Sequence, residues 1–194
     1  MKFIGFYNYT VILTYVSLFS GVFGIGCAAN GRCGLAILCL MFSGFCDMFD
    51  GAVARTKKDR TEDEKNFGIQ LDSLCDVICF GVLPAVILYF SGVTSVVGIV
   101  ILLCYVLCGL IRLAFFNVLE TKRQMTEDGC AKGYRGLPIT MASVIYPLFY
   151  LIGLALPHSV MVIVYHILPV ITAFLFVADI HIPKIDITKV FKKR

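Results

Sequence analysis

The chain has 194 residues, of which 59% are hydrophobic and 15% charged, and its formal net charge is +4. Soluble domains carry about 25% charged residues, so this composition cannot clothe a water-soluble fold and the bilayer must be its solvent. The basic residues fall in short segments between apolar runs and form no single patch, which excludes nucleic acid as a partner and marks a membrane topology instead.

A helix needs about 20 mainly apolar residues to cross the hydrocarbon core. Six runs qualify in chain order: Tyr9 to Ala29, Cys33 to Phe49, Ile69 to Phe90, Val93 to Val118, Leu137 to Leu156 and Val160 to Ile180. The first follows Lys2 and closes on the small residues Gly26, Cys27, Ala28 and Ala29, as a cleaved leader would. Its apolar run is longer than a leader's core and five more spans follow, so it is read as retained. The second is short, and its pattern can continue past Asp50 as a helix leaving the membrane. Turn residues Asn30-Gly31, Ser91-Gly92 and Pro157-His158 join neighbouring spans closely enough for antiparallel hairpins. The expected fold is therefore an all-α polytopic membrane protein with six transmembrane helices, forming one domain over 1–194.

Lys and Arg placement orients it. One side receives Lys2, then Arg55 to Lys65, then Lys122 to Arg135, then the tail Lys184 to Arg194, while the other receives only Arg32. Both termini and the two long loops are thus expected in the cytoplasm. Nine cysteines offer no Cys-x2-Cys pair and no nearby histidine, so they read as packing residues at bilayer depth rather than zinc ligands or disulfides.

Four aspartates occupy costly positions: Asp47 and Asp50 end the second span, and Asp72 and Asp76 begin the third. A charge at the centre of a membrane helix costs about 3 kcal/mol on insertion scales, so four together call for a neutralising partner. The spacings i,i+3 and i,i+4 put each pair on one helix face, at the cytoplasmic end of its span. An all-carboxylate set favours Mg2+ or Mn2+ over zinc, and four carboxylates can hold two ions arranged for displacement at phosphorus. Gly51 and Ala54 would let a nucleotide lie against the helix, and Arg55 offers a planar fork for phosphate. Arg112, with Asn117 nearby, and Arg135 bring further basic and polar groups to the same membrane face. A cation transporter is the reading from another class. Transporters place ions near the midplane between broken helices or repeats, and neither feature appears here.

Asp47-Met48-Phe49-Asp50-Gly51-Ala52-Val53-Ala54-Arg55 followed by Gly68, Asp72 and Asp76 resembles the CDP-alcohol phosphotransferase signature D-x2-D-G-x2-A-R-x(8 or 9)-G-x3-D-x3-D, with every fixed residue present. One spacing departs from it, since twelve residues (Thr56 to Phe67) separate Arg55 from Gly68. That is about one extra helical turn, which a longer loop or a helix extension can absorb without moving the acids. Leu71-Asp72-Ser73-Leu74-Cys75-Asp76, Arg112-Leu113-Ala114-Phe115-Phe116-Asn117 and Gly136-Leu137-Pro138 are similar to the phosphatidylserine synthase branch, with Cys79 where that branch has serine and Phe115 where it has arginine.

The resemblance implies a membrane transferase with its active site at the cytoplasmic face. In such enzymes Asp47, Asp50 and Asp72 would hold metal ions, with Asp76 as the base for the acceptor hydroxyl and a further metal contact. Asp47, Gly51, Ala54, Arg55, Gly68 and Asp72 would line the nucleotide and diphosphate. The implied substrates are CDP-diacylglycerol and L-serine, the implied assembly a homodimer, and the alternatives another acceptor (glycerol 3-phosphate, inositol or its phosphate) or an archaeal CDP-ether lipid. Arg112 or Arg135 could meet the serine carboxylate and Asn117 could add a hydrogen bond. Arg112 could equally pair with an active-site aspartate or with Asp179.

Overall fold

The computed structural model describes residues 4–54, 56, 57, 59, 61–125 and 134–182. Their helices are α1 (Ile12–Ala29), α2 (Cys33–Ala54), α3 (Glu62–Asp76), α4 (Leu83–Phe90), α5 (Val96–Met125), α6 (Ala142–Gly153) and α7 (His158–Val177). A π-helical turn, Val77–Val82, joins α3 to α4, so these form one continuous 29-residue span from Glu62 to Phe90. The all-α membrane fold stands. All eight cysteines among the described residues are free thiols, and five are buried; Cys130 and the basic tail lie outside the described residues.

Among the described residues five helices are long and apolar enough to cross a membrane, and the fifth apolar run gives a helix shorter than its sequence suggests. Within Leu137 to Leu156, only Ile139–Gly153 is helical. Pro138 is extended (ψ 139°), and the helix stops at Leu154, three residues ahead of Pro157. At 1.5 Å per residue those 15 residues reach about 22 Å, against about 30 Å of hydrocarbon core.

The α1–α2 hairpin is drawn together by small residues and reciprocal hydroxyl bonds. Ser43 Oγ donates to the Ser17 carbonyl (3.1 Å), Ser17 Oγ to the Ser43 carbonyl (3.4 Å) and Ser20 Oγ to the Cys39 carbonyl (3.0 Å). In a bilayer the hydrophobic effect does not press helices together, so close approach and such bonds do it. Gly24 lets α1 approach α2, where a Cβ would stand 2.9 Å from Cys39 Cβ, and Gly21 lets it approach the π turn, where a Cβ would stand 2.6 Å from Cys79 Sγ. Gly21→Ala is expected to cost about 1–3 kcal/mol by overpacking, read as a lower unfolding temperature in detergent. Adding Cys79→Ala should recover part of the loss, and no change in Gly21→Ala would mean that α1 and the π turn stand farther apart.

The third span extends into the cytoplasmic loop. Thr61 caps α3 by accepting from the Glu64 N–H (3.2 Å), and the Glu64 carboxylate accepts from the Thr61 N–H (3.2 Å), a reciprocal capping box. The long spacer before Gly68 is thus taken up partly as helix. Its charges pair among themselves, Lys57 with Glu64 (3.0 Å) and Lys65 with Glu62 (2.7 Å). The segment preceding α1 folds back on this extension: the Phe6 and Phe67 rings meet edge to face at 5.5 Å, Asn8 Nδ2 donates to Glu64 (3.5 Å), and the Tyr9 and Thr56 hydroxyls bond at 3.1 Å.

Beyond α5, a two-residue antiparallel bridge pairs β1 (Tyr134–Arg135) with β2 (His181–Ile182). Gly136 N–H then donates to the Ile180 carbonyl (2.9 Å) and Leu137 N–H to the Leu175 carbonyl (3.0 Å), strapping the α5–α6 connection to the end of α7.

Candidate active site

Consecutive helices bring the four aspartates together. Asp47 and Asp50 come from α2, and Asp72 and Asp76 from α3. One carboxylate oxygen from each of Asp47, Asp50 and Asp72 lies within 4.8 Å of the other two. Asp47 is within hydrogen-bonding reach of Asp76, and Asp50 of Asp72. Asp76 sits deepest, 7% exposed, while the other three are half-buried.

Carboxylates cannot touch in a partly dry site without a proton or a cation between them. The donor set is all oxygen, as Mg2+ and Mn2+ prefer. Oxygens about 2.1 Å from one Mg2+ lie about 3.0 Å apart when cis and about 4.2 Å apart when trans, so the three acids would close by less than about 2 Å around a shared ion. The cluster therefore fits a hard divalent cation.

The other sequence candidates divide. Gly51 lies one residue past Asp50 and Gly68 one turn before Asp72, both half-buried. Ala54 ends α2. Arg55 falls outside the described residues, as do the side chains of Ala54 and Arg135. Arg112 is buried on α5 at 7% exposure. Its Nε donates to the Leu137 carbonyl (3.2 Å), and its guanidinium carbon lies 5.5 Å from the centre of the Phe116 ring. Arg112 thus reaches the same connection whose backbone carries Arg135. Asn117 Oδ1 accepts from Ser73 Oγ (2.9 Å), and its Nδ2 donates to Gln70 Oε1 (3.5 Å). It ties α5 to the helix that bears Asp72 and Asp76. Sequence reasoning missed Gln70 and Ser73. Their signal was an i,i+3 polar pair flanking Asp72 on an otherwise apolar stretch.

The match to the CDP-alcohol phosphatidyltransferase family model covers residues 7–179 and takes in all four aspartates. The chain belongs to the CDP-alcohol phosphatidyltransferase family. Membership makes it an enzyme, a membrane-embedded transferase. Among curated relatives, an archaetidylserine synthase of Methanothermobacter thermautotrophicus is 33% identical over 176 residues, spanning 90% of this chain and 69% of that protein. A CDP-diacylglycerol–serine O-phosphatidyltransferase of Methanocaldococcus jannaschii is 32% identical over 174 residues, 89% of this chain and 74% of its own. A protein of the same description from Saccharomyces cerevisiae is 42% identical over 100 residues, but these are only 50% of this chain and 34% of the yeast protein. No solved structure matches the chain.

Proposed function

We propose that this member of the family transfers a phosphatidyl-type group from a CDP-linked lipid to L-serine, releasing CMP, with divalent cations held at the acid cluster. The observation that carries this reading is the meeting of Asp47, Asp50 and Asp72 within 4.8 Å, with buried Asp76 against Asp47. The serine acceptor is supported by the relatives' descriptions and by the stretches similar to the serine branch. The positive-inside pattern supports a cytoplasmic site, and the family resemblance alone supports a homodimer.

Asp47, Asp50 and Asp72, with Asp76 at their side, would hold Mg2+ or Mn2+, two ions in the family's manner. Such ions neutralise charge on the diphosphate and on departing CMP. Asp76 accepts the proton of the serine hydroxyl. The serine oxygen then bonds to the lipid-bearing phosphorus, and the bond from that phosphorus to the oxygen bridging to the cytidylate breaks. CMP leaves with the electron pair, and the proton stays on Asp76 until solvent takes it. Gly51, Ala54, Arg55 and Gly68 line the nucleotide. Arg112 from α5 and Arg135 from the strapped α5–α6 connection meet the acceptor carboxylate, and Asn117 orients the acceptor site through its bonds to α3.

The test is CMP release by the purified protein in detergent with Mn2+ or Mg2+ and serine, glycerol 3-phosphate or inositol as acceptor. Release is expected only with serine, and chelation by EDTA should abolish it until metal is restored. Release with another acceptor alone would retain the family and overturn serine. An ether-lipid donor is the second reading, favoured because two relatives matched over about nine-tenths of this chain are archaeal and one is an archaetidylserine synthase. Supplying CDP-linked diacyl and diether lipids in parallel separates the two.

A further inference from the structure

Pro84 has no N–H, and in α geometry its ring collides with the carbonyl four residues earlier, that of Phe80. The chain instead widens into the π turn Val77–Val82, where the Leu83 N–H reaches back to the Ile78 carbonyl. The widened turn begins at the residue after Asp76. Inside it, the Phe80 carbonyl accepts a 2.6 Å hydrogen bond from the Tyr105 hydroxyl of α5, and both residues are fully buried. Tyr105 has no room to swing away. Its ring stands edge-on to Tyr146 at 5.6 Å and beside Phe176 at 5.5 Å. The Tyr146 hydroxyl bonds Thr172 Oγ1 at 3.0 Å, and Thr172 Oγ1 donates to the Leu168 carbonyl at 3.0 Å.

A run of rings and hydroxyls thus passes from α7 through α6 and α5 and ends on the turn next to Asp76. π turns recur at functional sites, where the extra width re-aims neighbouring side chains. We propose that Tyr105 is a positioning residue: its hydroxyl holds the Pro84-opened π turn and thereby fixes Asp76 against Asp47. The inference rests on the function proposed above, in which Asp76 takes the acceptor's proton. Tyr105 touches no reacting atom. Without its hydroxyl the Phe80 carbonyl would be buried without this donor, the turn would rewind toward another, and Asp76 would shift with it.

Tyr105→Phe keeps the ring and removes only the hydroxyl. Its kcat is expected to fall about 100-fold, the scale set by a misplacement of about 1 Å. With Mn2+ saturating, KM for serine and for the CDP-lipid should stay within about twofold, because the groups that bind them are unchanged. Mn2+ affinity, read by electron paramagnetic resonance in detergent, should weaken about tenfold, as for other residues supporting metal ligands. The double variant Tyr105→Phe/Pro84→Ala restores an N–H four residues beyond Phe80 and permits α winding. It should regain thermal stability but not kcat, and it also decides the matter if Tyr105→Phe alone folds poorly. Unchanged kcat in Tyr105→Phe, or recovery of both stability and kcat in the double variant, would overturn the proposal by reducing the hydroxyl to a filler of one hydrogen bond. If the unaltered protein released no CMP with serine, the acceptor reading would fall. The Mn2+ comparison would still decide this one, with equal affinities in both proteins sinking it.

Discussion

Asp76→Asn is expected to lower serine-dependent CMP release about 1,000-fold, the range lost when a positioned general base goes. The amide preserves the size of the carboxyl but cannot take the acceptor's proton. Asp76 is only 7% exposed and lies against Asp47, so the substitution also takes one acid group out of a crowded, partly dry cluster. Relief of that crowding should leave the unfolding temperature in EDTA equal to or above that of the unaltered protein. This pairing of lost activity with undiminished stability separates a chemical role from a structural one. A variant retaining more than about a tenth of the rate would place the base elsewhere. A variant that lost rate and fold together would leave Asp76 as a core residue.

Gly136→Ala is expected to be the most damaging single methyl group that can be added to the α5–α6 connection. Gly136 has φ +74°, and a Cβ there would lie 3.0 Å from the carbonyl oxygens of Ala178 and Phe176 and 3.4 Å from that of Leu175. All three are backbone atoms at the end of α7, so none can rotate aside. Left-handed backbone costs an L residue about 1–2 kcal/mol and overpacking about 1–3 kcal/mol, giving a loss of about 2–5 kcal/mol. Chemical denaturation in detergent measures it. Asn tolerates left-handed backbone better than Ala, so Gly136→Asn should escape part of the conformational cost and keep the steric one. In the surviving folded protein, KM for serine should rise more than KM for the CDP-lipid. The strap carries Arg135 and presents the Leu137 carbonyl gripped by Arg112. Equal stability of Gly136→Ala and the unaltered protein would mean that the strap does not close as described.

What could be read from the sequence followed from short-range chemistry. Apolar run lengths located the spans, and i,i+3 and i,i+4 spacings put each pair of acids on a common face. The opposite directions of the second and third spans put both pairs at the same membrane end, and the meeting of their oxygens within 4.8 Å came from the fold. The spacer before Gly68 was read as absorbable by a helix extension, and α3 does begin six residues earlier, at Glu62. The fifth apolar run was less legible, because hydropathy does not register that Pro138 holds the chain extended or that the helix ends at Leu154. The partners of Arg112 and Asn117 were beyond sequence reasoning for another reason. They lie 25 and 44 residues away along the chain, and one of them is a backbone carbonyl. The π turn had a visible cause in Pro84 and a visible respondent in Tyr105, a polar-headed aromatic inside an apolar span. Nothing in local periodicity joins the two.

The contacts of Phe6, Asn8 and Tyr9 with the α2–α3 loop bear on the order in which the protein can be built. Tyr9 meets Thr56 across 47 positions, and Asn8 meets Glu64 across 56. A ribosome delivers the earlier partners long before the later ones exist, so these contacts form only after the first hairpin has been inserted and the third span has begun. The loop beside the acid cluster is then closed by a segment made well before it. A membrane intermediate holding only α1 and α2 would have both Asp47 and Asp50 in place, yet nothing to latch over them.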